Sequence, residues 1–266
     1  MIPYGFTYRR APSVAEAEAL LKASPDAKLL AGGQTLIAAM KMRLAQPSAL
    51  IDIAHIAELS FVRAVGGSIA VGAATKHFEV AESADIANAI PALATLAGSI
   101  GDPAVRHMGT LGGSLANNDP AADYPAAVLG LNATIRTQRR SIAADDFFTG
   151  MFSTALEDGE IITEVSFPIP ECAAYEKFPN PASRYAMTGV FVAKMKAGVR
   201  VAVTGAGHCV FRLPDMEAAL ARNFVPEAIA DITADANELN ADIHGSAEFR
   251  AHLISVMAKR AVASAQ

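Results

Sequence analysis

The segments AGGQTL at residues 31–36 and GTLGGS at residues 109–114 decide how this chain is interpreted. Each contains two adjacent glycines and is followed by small hydroxyl or amide side chains. A residue without a Cβ atom lets the backbone approach an anion closely, and successive main-chain N–H groups in such a turn form a concave donor site. Two such segments could hold a phosphate chain from both sides, whereas an isolated glycine pair is more often an ordinary turn.

The first glycine segment lies between a predicted strand and a predicted helix. Residues 28–30 have the pattern of the end of a buried strand, and residues 35–45 carry apolar side chains at helical spacing. A helix N-terminus adds free N–H groups and partial positive charge, which favour an anion. Lys41 and Arg43 lie toward the other end of this helix, so we interpret them as capping or solvated side chains.

Polar side chains that could bind sugar hydroxyls follow the second segment: Ser114, Asn117, Asn118, Asp119 and Asp123. We predict a helix over residues 120–131, with Asp119 as its N-cap and a proline as its first residue. Asp123 then lies one turn inside the helix, where no cap is needed. Its carboxylate could accept a hydrogen bond from a ribityl or ribose hydroxyl, although compensation of the helix dipole explains its position about as well.

Composition and charge exclude several classes of protein. The chain has 266 residues, of which 52% are hydrophobic, enough for one large core or two smaller ones. It contains no apolar stretch that could span a bilayer and begins without the apolar run of a signal peptide. We therefore expect cytoplasmic residence, with peripheral association at the inner membrane face as an option. The net charge of -5 argues against nucleic acid as a partner, and the Arg139-Arg140 pair is interpreted as a solvated hairpin tip.

The metal-ligating residue types are few and scattered. Cys172 and Cys209 are the two cysteines and form no C-x-x-C motif, so this chain cannot by itself hold an iron–sulfur cluster, which needs about four thiolates. A disulfide is disfavoured in a reducing compartment. We interpret the six histidines as surface or packing residues: His55, His77, His107, His208, His244 and His252. No metal site is predicted, and motifs of hydrolases and P-loop proteins are absent from the sequence.

The rest of the chain predicts alternating helices and strands, followed by a different pattern after about residue 175. Predicted strands cover residues 49–53, 68–73, 133–137 and 161–167, and predicted helices cover residues 14–23, 76–83 and 85–98. Residues 190–195 and 199–203 predict an antiparallel hairpin, and residues 246–264 predict a terminal amphipathic helix. We place a domain boundary between Glu171 and Phe178.

Three segments together resemble a known family: AGGQTLIAAMKMRLAQP, MGTLGGSLANNDPAADYPAA and the terminal GSAEFRAHLISVMAKRA. They resemble the FAD-binding medium subunit of the molybdenum hydroxylases, which includes the carbon monoxide dehydrogenase medium subunit and the xanthine dehydrogenase FAD subunit. The resemblance implies an α+β fold in which two α/β subdomains, about residues 1–55 and 56–173, form a PCMH-type FAD-binding domain at residues 1–173. A C-terminal α+β domain with a three-stranded antiparallel sheet, like that of the carbon monoxide dehydrogenase flavoprotein, would follow at residues 174–266.

The resemblance assigns FAD contacts to both glycine segments and to several positions beyond them. The implied FAD-binding residues are Gly32, Gly33, Gln34, Thr35, Leu36, Thr110, Leu111, Gly112, Gly113, Ser114, Asn117, Asp123, Ile161, Lys177 and Tyr185. Asp123 would lie near the sugar-like chain of the flavin, Lys177 on the strand that approaches the ring, and Tyr185 against the isoalloxazine. No catalytic acid, base or nucleophile is implied.

The implied activity is that of an oxidoreductase subunit that transfers electrons. A molybdenum cofactor in a large partner subunit would oxidise the substrate, and two [2Fe–2S] clusters in a small partner would relay electrons to FAD, from which an external acceptor removes them. The three subunits would form a dimer of heterotrimers, which is a heterohexamer. Two alternatives are a self-sufficient flavin oxidoreductase and a flavin-free assembly subunit.

Overall fold

The N-terminal part of the computed structural model, which describes residues 2–265, is built on a parallel sheet. The strands of this first sheet lie in the order β1-β3-β2 and are β1 (Thr7–Arg10), β2 (Lys28–Leu30) and β3 (Ala49–Asp52). Two helices connect them, α1 (Val14–Ala23) and α2 (Leu36–Lys41). Ser13 caps α1, since its hydroxyl accepts a hydrogen bond from the Glu16 amide, and the predicted helix at residues 14–23 is confirmed.

The middle part of the chain forms a five-stranded antiparallel sheet. This second sheet has the order β4-β5-β10-β6-β7 and contains β4 (Val62–Val65), β5 (Ser68–Gly72), β6 (Thr134–Thr137), β7 (Ser141–Ala143) and β10 (Ile162–Pro168). Seven helices lie between its strands: α3 (His77–Glu82), α4 (Ala84–Ala89), α5 (Pro91–Gly98), α6 (Pro103–Arg106), α7 (Leu111–Asn117), α8 (Tyr124–Gly130) and α9 (Ala144–Phe147). A small separate hairpin is formed by β8 (Phe148–Gly150) and β9 (Ser153–Thr154).

The C-terminal part forms a third sheet covered by helices. Its antiparallel strands lie in chain order and are β11 (Cys172–Pro179), β12 (Ala186–Met195), β13 (Gly198–Thr204) and β14 (Phe211–Arg212). The helices are α10 (Pro214–Arg222) and α11 (Ala247–Ser264), and short 3-10 turns lie between them. The predicted hairpin and terminal helix are confirmed, whereas the expected three-stranded sheet omits the two-residue strand β14.

Three clusters of buried apolar side chains accompany the three sheets. Ile51 lies in the first cluster, Val165 in the second and Val201 in the third. The second cluster also includes Phe191 of β12, and its ring lies so close to Gly130 of α8 that a Cβ atom there would come within 2.8 Å of it. Helix α8 therefore packs against the third sheet, and its buried side chains share one apolar cluster with those of the second sheet.

Several predicted boundaries differ from the structure. The helix expected at residues 35–45 ends at Lys41, because Arg43 adopts a left-handed conformation with φ of 63°. Strands β1 and β4 were not predicted, since their side chains are almost entirely exposed and show no buried alternation. None of the helices within residues 2–265 is both long and apolar enough to cross a bilayer.

The Arg139-Arg140 pair lies exposed at the turn between β6 and β7, as interpreted from the sequence, and its guanidinium groups are also paired with carboxylates. The Arg140 guanidinium donates to both carboxylate oxygens of Glu160, each at 2.9 Å, and Arg139 donates to Glu18 of α1 at 3.1 Å. Glu160 also accepts from the Thr137 hydroxyl at 2.7 Å. The bond between Arg139 and Glu18 ties the first sheet unit to the second, and the bonds that Arg140 and Thr137 donate lower the pKa of Glu160 to about 2.

We expect Glu160→Gln to remove a contribution to the free energy of unfolding that is present at neutral pH and lost in acid. A carboxyl group whose pKa falls from 4.5 to about 2 on folding stabilises the chain above pH 4.5, and this contribution disappears as the pH falls toward 2. Urea unfolding of the variant should show a free energy of unfolding roughly 1–3 kcal/mol lower at neutral pH and a weaker decline in acid. Glu157→Gln is the control, because the Glu157 side chain is 65% exposed. Parallel pH curves for wild type and Glu160→Gln would contradict this assignment.

Candidate functional site

A cavity of about 700 Å³ lies between the first and second sheet units. Its volume is within the range of roughly 300–1,000 Å³ that is typical of cofactor and small-molecule sites. Both glycine segments line it, and residues 157–162 and 183–185 contribute further parts of its wall. The two segments, separated by more than seventy positions in the sequence, therefore meet at one site.

The two glycine segments touch through their backbones. A Cβ atom at Gly32 would overlap the carbonyl oxygen of Met108 and would lie 2.7 Å from the Cα atom of Gly109. Gly33 adopts a φ of 69°, in the region that favours glycine. Glycine is thus required at residue 32 for close approach of the two segments and at residue 33 for the turn into α2.

The backbone N–H groups of the two segments differ in what they can offer a ligand. Within residues 2–265, none of the N–H groups of residues 32–36 donates to a protein acceptor. In the second segment, the Leu111 amide donates to Thr75 and the Gly112 amide to Ala73, at 3.0 and 2.8 Å. The Gly113 amide donates to the Thr110 hydroxyl at 3.2 Å, because Thr110 caps α7. The free amide donors predicted on both sides are therefore found on the first segment, and the second segment offers hydroxyl groups instead.

The structure brings the sequence-predicted residues to this cavity with two exceptions. The residues that line it are Gly32, Gly33, Gln34, Thr35, Leu36, Thr110, Gly112, Gly113, Ser114, Asn117, Asp123, Ile161 and Tyr185. The two exceptions are Leu111, which is fully buried in the second apolar cluster, and Lys177, which does not line the cavity. Tyr185 is 51% exposed at the rim, so its ring is free to meet a ligand.

Asp123 lies beneath the cavity in a buried ionic network. Its carboxylate accepts from the Tyr175 hydroxyl at 2.6 Å and from Lys177 Nζ at 2.9 Å, and Lys177 also donates to the Ser99 carbonyl at 3.0 Å. Burial raises the pKa of Asp123, while the Lys177 charge and the Tyr175 hydrogen bond act in the opposite direction. The network joins β11 of the third sheet to α8 and the end of α5.

The position of Asp123 corrects the predicted helix start. Helix α8 begins at Tyr124 rather than at Pro120, so Asp123 immediately precedes the helix instead of lying one turn inside it. Its side chain makes no capping hydrogen bond, and Asp119 accepts from the Ala121 amide in a local turn. Pairing with Lys177 and Tyr175, which are far away in sequence, explains the carboxylate better than helix-dipole compensation does.

Several chemically functional side chains that line the cavity were not assigned to it from the sequence, and His77 is the most deeply buried imidazole among them. His77 lines the cavity and is only 5% exposed. It reaches the site because a bridge between Lys76 and Thr110 aligns the start of α3 with the second glycine segment. No local sequence signal marks it, since the pairing is formed by residues more than thirty positions apart.

Within residues 2–265, no cluster of ligating side chains could hold a metal ion.

Comparison with known proteins gives consistent matches over nearly the whole chain. Residues 4–170 match the family model of the FAD binding domain in molybdopterin dehydrogenase. The nicotine 6-hydroxylase medium subunit of Paenarthrobacter nicotinovorans is 37% identical over 97% of this chain and 96% of its own length. The carbon monoxide dehydrogenase medium chain of Hydrogenophaga pseudoflava is 36% identical over 100% of this chain and 98% of its own.

Solved structures agree with these sequence matches. A carbon monoxide dehydrogenase from Hydrogenophaga pseudoflava superimposes with a TM-score of 0.92 at 36% identity, covering 99% of this chain and 98% of the other. The quinoline 2-oxidoreductase of Pseudomonas putida 86 gives a TM-score of 0.86 at 28% identity, covering 99% and 97%. The resemblance inferred from the glycine segments is confirmed, together with the mixed α/β fold, the oxidoreductase class and FAD as the cofactor. The chain therefore belongs to the family of FAD-binding domains of molybdopterin dehydrogenases.

Proposed function

We propose that this chain is the flavin-bearing subunit of a molybdenum hydroxylase and passes electrons from the [2Fe–2S] clusters of a partner subunit to an external acceptor. The observation that carries the proposal is the single cavity in which the free amides of residues 32–36 face the second glycine segment. Bound FAD would supply the redox chemistry, and the protein would supply position and electrostatics.

The residues present fit a dinucleotide. The unpaired amides of the first segment would bind the diphosphate, helped by the hydroxyl groups of Thr110 and Ser114 on the opposite side. Asn117 would bind sugar hydroxyls, and Ile161 offers an apolar surface. Tyr185 would pack against the isoalloxazine at the rim, where its ring is accessible.

Two predicted contacts take on different roles in this proposal. Lys177 would act through Asp123, as a positioning residue that fixes the carboxylate near the flavin's sugar-like chain. Leu111 would support the second segment from below, through its backbone bond to Thr75 and its buried side chain. The Asp123 carboxylate can accept further hydrogen bonds and would accept one from a ribityl hydroxyl.

Domain division and assembly extend the proposal. We infer a PCMH-type FAD-binding domain at residues 1–173 and a C-terminal domain at residues 174–266, a division supported by the apolar cluster that one face of the third sheet forms with α10 and α11. The chain would assemble with a large molybdenum-cofactor subunit and a small two-[2Fe–2S] subunit as a dimer of heterotrimers in the cytoplasm, with the inner membrane face as a further possible location. The relatives are named for substrates as different as nicotine, carbon monoxide and caffeine, so we assign the choice of substrate to the large subunit.

The test starts with the purified full-length chain. We expect a yellow protein with flavin absorption bands that releases FAD on denaturation and co-purifies with its two partner subunits when they are expressed together. A chain that neither retains flavin nor takes up added FAD would contradict the proposal and favour the flavin-free assembly subunit. Reduction of the bound flavin by a small organic substrate without partners would instead favour the self-sufficient oxidoreductase.

A further inference from the structure

We propose that His77 is a further cofactor-binding residue, which contacts the diphosphate of FAD through Nε2 and takes up one proton when the cofactor binds. The inference rests on the proposed function, because it requires a diphosphate in the cavity.

The imidazole of His77 is packed directly on the second glycine segment. The His77 amide donates to the Gly109 carbonyl at 3.0 Å, and Nε2 would lie 2.5 Å from a Cβ atom at Gly109. A side chain at Gly109 would therefore separate the imidazole from the segment. This contact places Nε2 against Gly109, and the residues on either side of the contact, His77 and Thr110, both line the cavity.

The side chain of His77 has a ring nitrogen that the described part of the protein leaves without a partner. Within residues 2–265, Nδ1 is buried and has no hydrogen-bond partner. The Tyr124 hydroxyl, whose ring centroid lies 5.3 Å from that of His77, is also buried without a partner. Buried polar groups are rarely left unpaired, and one water shared by Nδ1 and the Tyr124 hydroxyl would satisfy both. Nε2 would then remain as the donor for a ligand.

Charge explains why this donor suits a diphosphate. The Leu111 and Gly112 amides are already bonded within the protein, so the second segment needs another donor on its side of the cavity. Burial, and secondarily the positive charge of Arg106 on α6, lower the pKa of His77 to about 4, which keeps the imidazole neutral in the free chain. A diphosphate dianion at the cavity would favour the protonated imidazole and oppose both effects.

Among the charged groups around His77, a bound diphosphate would be the one that most strongly favours the protonated imidazole. Helix α5, which packs against α3, contains no titratable residue, and α4 contributes only Asp85. Tyr124 of α8 stays protonated, because burial and the Asp123 charge raise its pKa further. Arg106 is held by the Ile100 and Gly101 carbonyls at 2.9 and 3.4 Å, so its charge stays in place when a ligand enters.

The experiment measures dissociation constants of the full-length chain, freed of cofactor, for FAD, ADP and riboflavin between about pH 5 and pH 8. We expect binding of FAD to weaken as the pH rises, by up to about tenfold per pH unit where one proton is taken up, whereas ADP, whose terminal phosphate itself titrates near about pH 6, tests only whether the diphosphate is bound. Riboflavin, which lacks the diphosphate, should show no such dependence. Titration calorimetry in buffers of different ionisation enthalpy counts the proton directly.

Variants at residue 77 separate recognition from packing. His77→Phe fills a similar volume and should bind FAD at least tenfold more weakly, about 1.4 kcal/mol, with a flat pH profile. His77→Gln retains a neutral amide donor, so it should lose the pH dependence with a smaller loss of affinity. His252→Gln is the matched control, because this histidine is exposed on α11.

The outcomes distinguish this inference from the proposed function. If wild type binds FAD and His77→Phe keeps both its affinity and its pH profile, only the role of His77 is wrong. A variant that melts at lower temperature but keeps the wild-type dissociation constant shows that His77 is a packing residue and likewise overturns the inference. A wild-type chain that binds neither FAD nor ADP overturns both.

Discussion

Gly32→Ala is expected to leave a folded chain that retains less than about a tenth of the wild-type flavin content. The added Cβ atom would overlap the Met108 carbonyl oxygen and approach the Gly109 Cα atom to 2.7 Å. Both neighbours are backbone atoms that cannot rotate away, so the two glycine segments must separate. Overpacking of this kind costs roughly 1–3 kcal/mol, and 1.4 kcal/mol already corresponds to tenfold weaker binding.

The measurement is the molar ratio of FAD to protein after purification, together with the thermal unfolding of the flavin-free chain. Gly5→Ala is the control, because no atom lies within 4 Å of a Cβ atom at that position. A Gly32→Ala protein with normal flavin content would show that close approach of the segments is not needed for binding.

Substitutions at the two glycines of the second pair should disturb different parts of the site. A Cβ atom at Gly112 would lie 2.6 Å from Cβ of Ala73, in the protein interior, whereas one at Gly113 would lie 2.8 Å from the Thr110 hydroxyl, which can rotate. Gly112→Val should therefore disturb mainly the packing beneath the cavity, and Gly113→Val mainly the Thr110 hydroxyl that caps α7. Residue 32 is the sharper test of cofactor binding.

Lys177→Met is expected to lower the free energy of unfolding by about 3–5 kcal/mol, the usual cost of leaving a buried charge without its partner. The side chains of Lys177 and Asp123 are only 9% and 4% exposed, and their ion pair spans 2.9 Å. With the ammonium group removed, the carboxylate keeps only the Tyr175 hydroxyl as a strong donor. Urea unfolding of the cofactor-free chain measures the loss.

Three comparisons make this result interpretable. The double variant Lys177→Met with Asp123→Asn should recover part of the loss, because no uncompensated charge remains. Loss of the cation raises the pKa of Asp123 further, so the deficit of the single variant should shrink as the pH falls. Lys194→Met removes an exposed pair with Glu171 and should cost no more than about 1 kcal/mol. An equally small effect at residue 177 would rule out a strong buried pair.

Much of the fold could be predicted because the relevant signals are local. The cap at Ser13 located α1, and the two apolar segments on either side of Lys196-Ala197-Gly198 predicted the β12–β13 hairpin. The limits of α2 and α8 could not be found this way. They depend on the left-handed turn at Arg43 and on pairing between Asp123 and the third sheet, neither of which leaves a periodic pattern.

By itself, the sequence determined the two glycine segments, several of the helices and strands including α1 and the β12–β13 hairpin, and, through the resemblance, the family and its cofactor. Only the tertiary structure decided which donors remain free for a ligand. The amides of residues 32–36 have no acceptor among residues 2–265, those of Leu111 and Gly112 are bonded within the protein, and His77 lines the site. It also decided that Asp123 is paired with Lys177. The physical reason is that backbone flexibility and helical periodicity are local properties of a sequence, whereas hydrogen-bond pairing and burial depend on residues that folding brings together from distant positions.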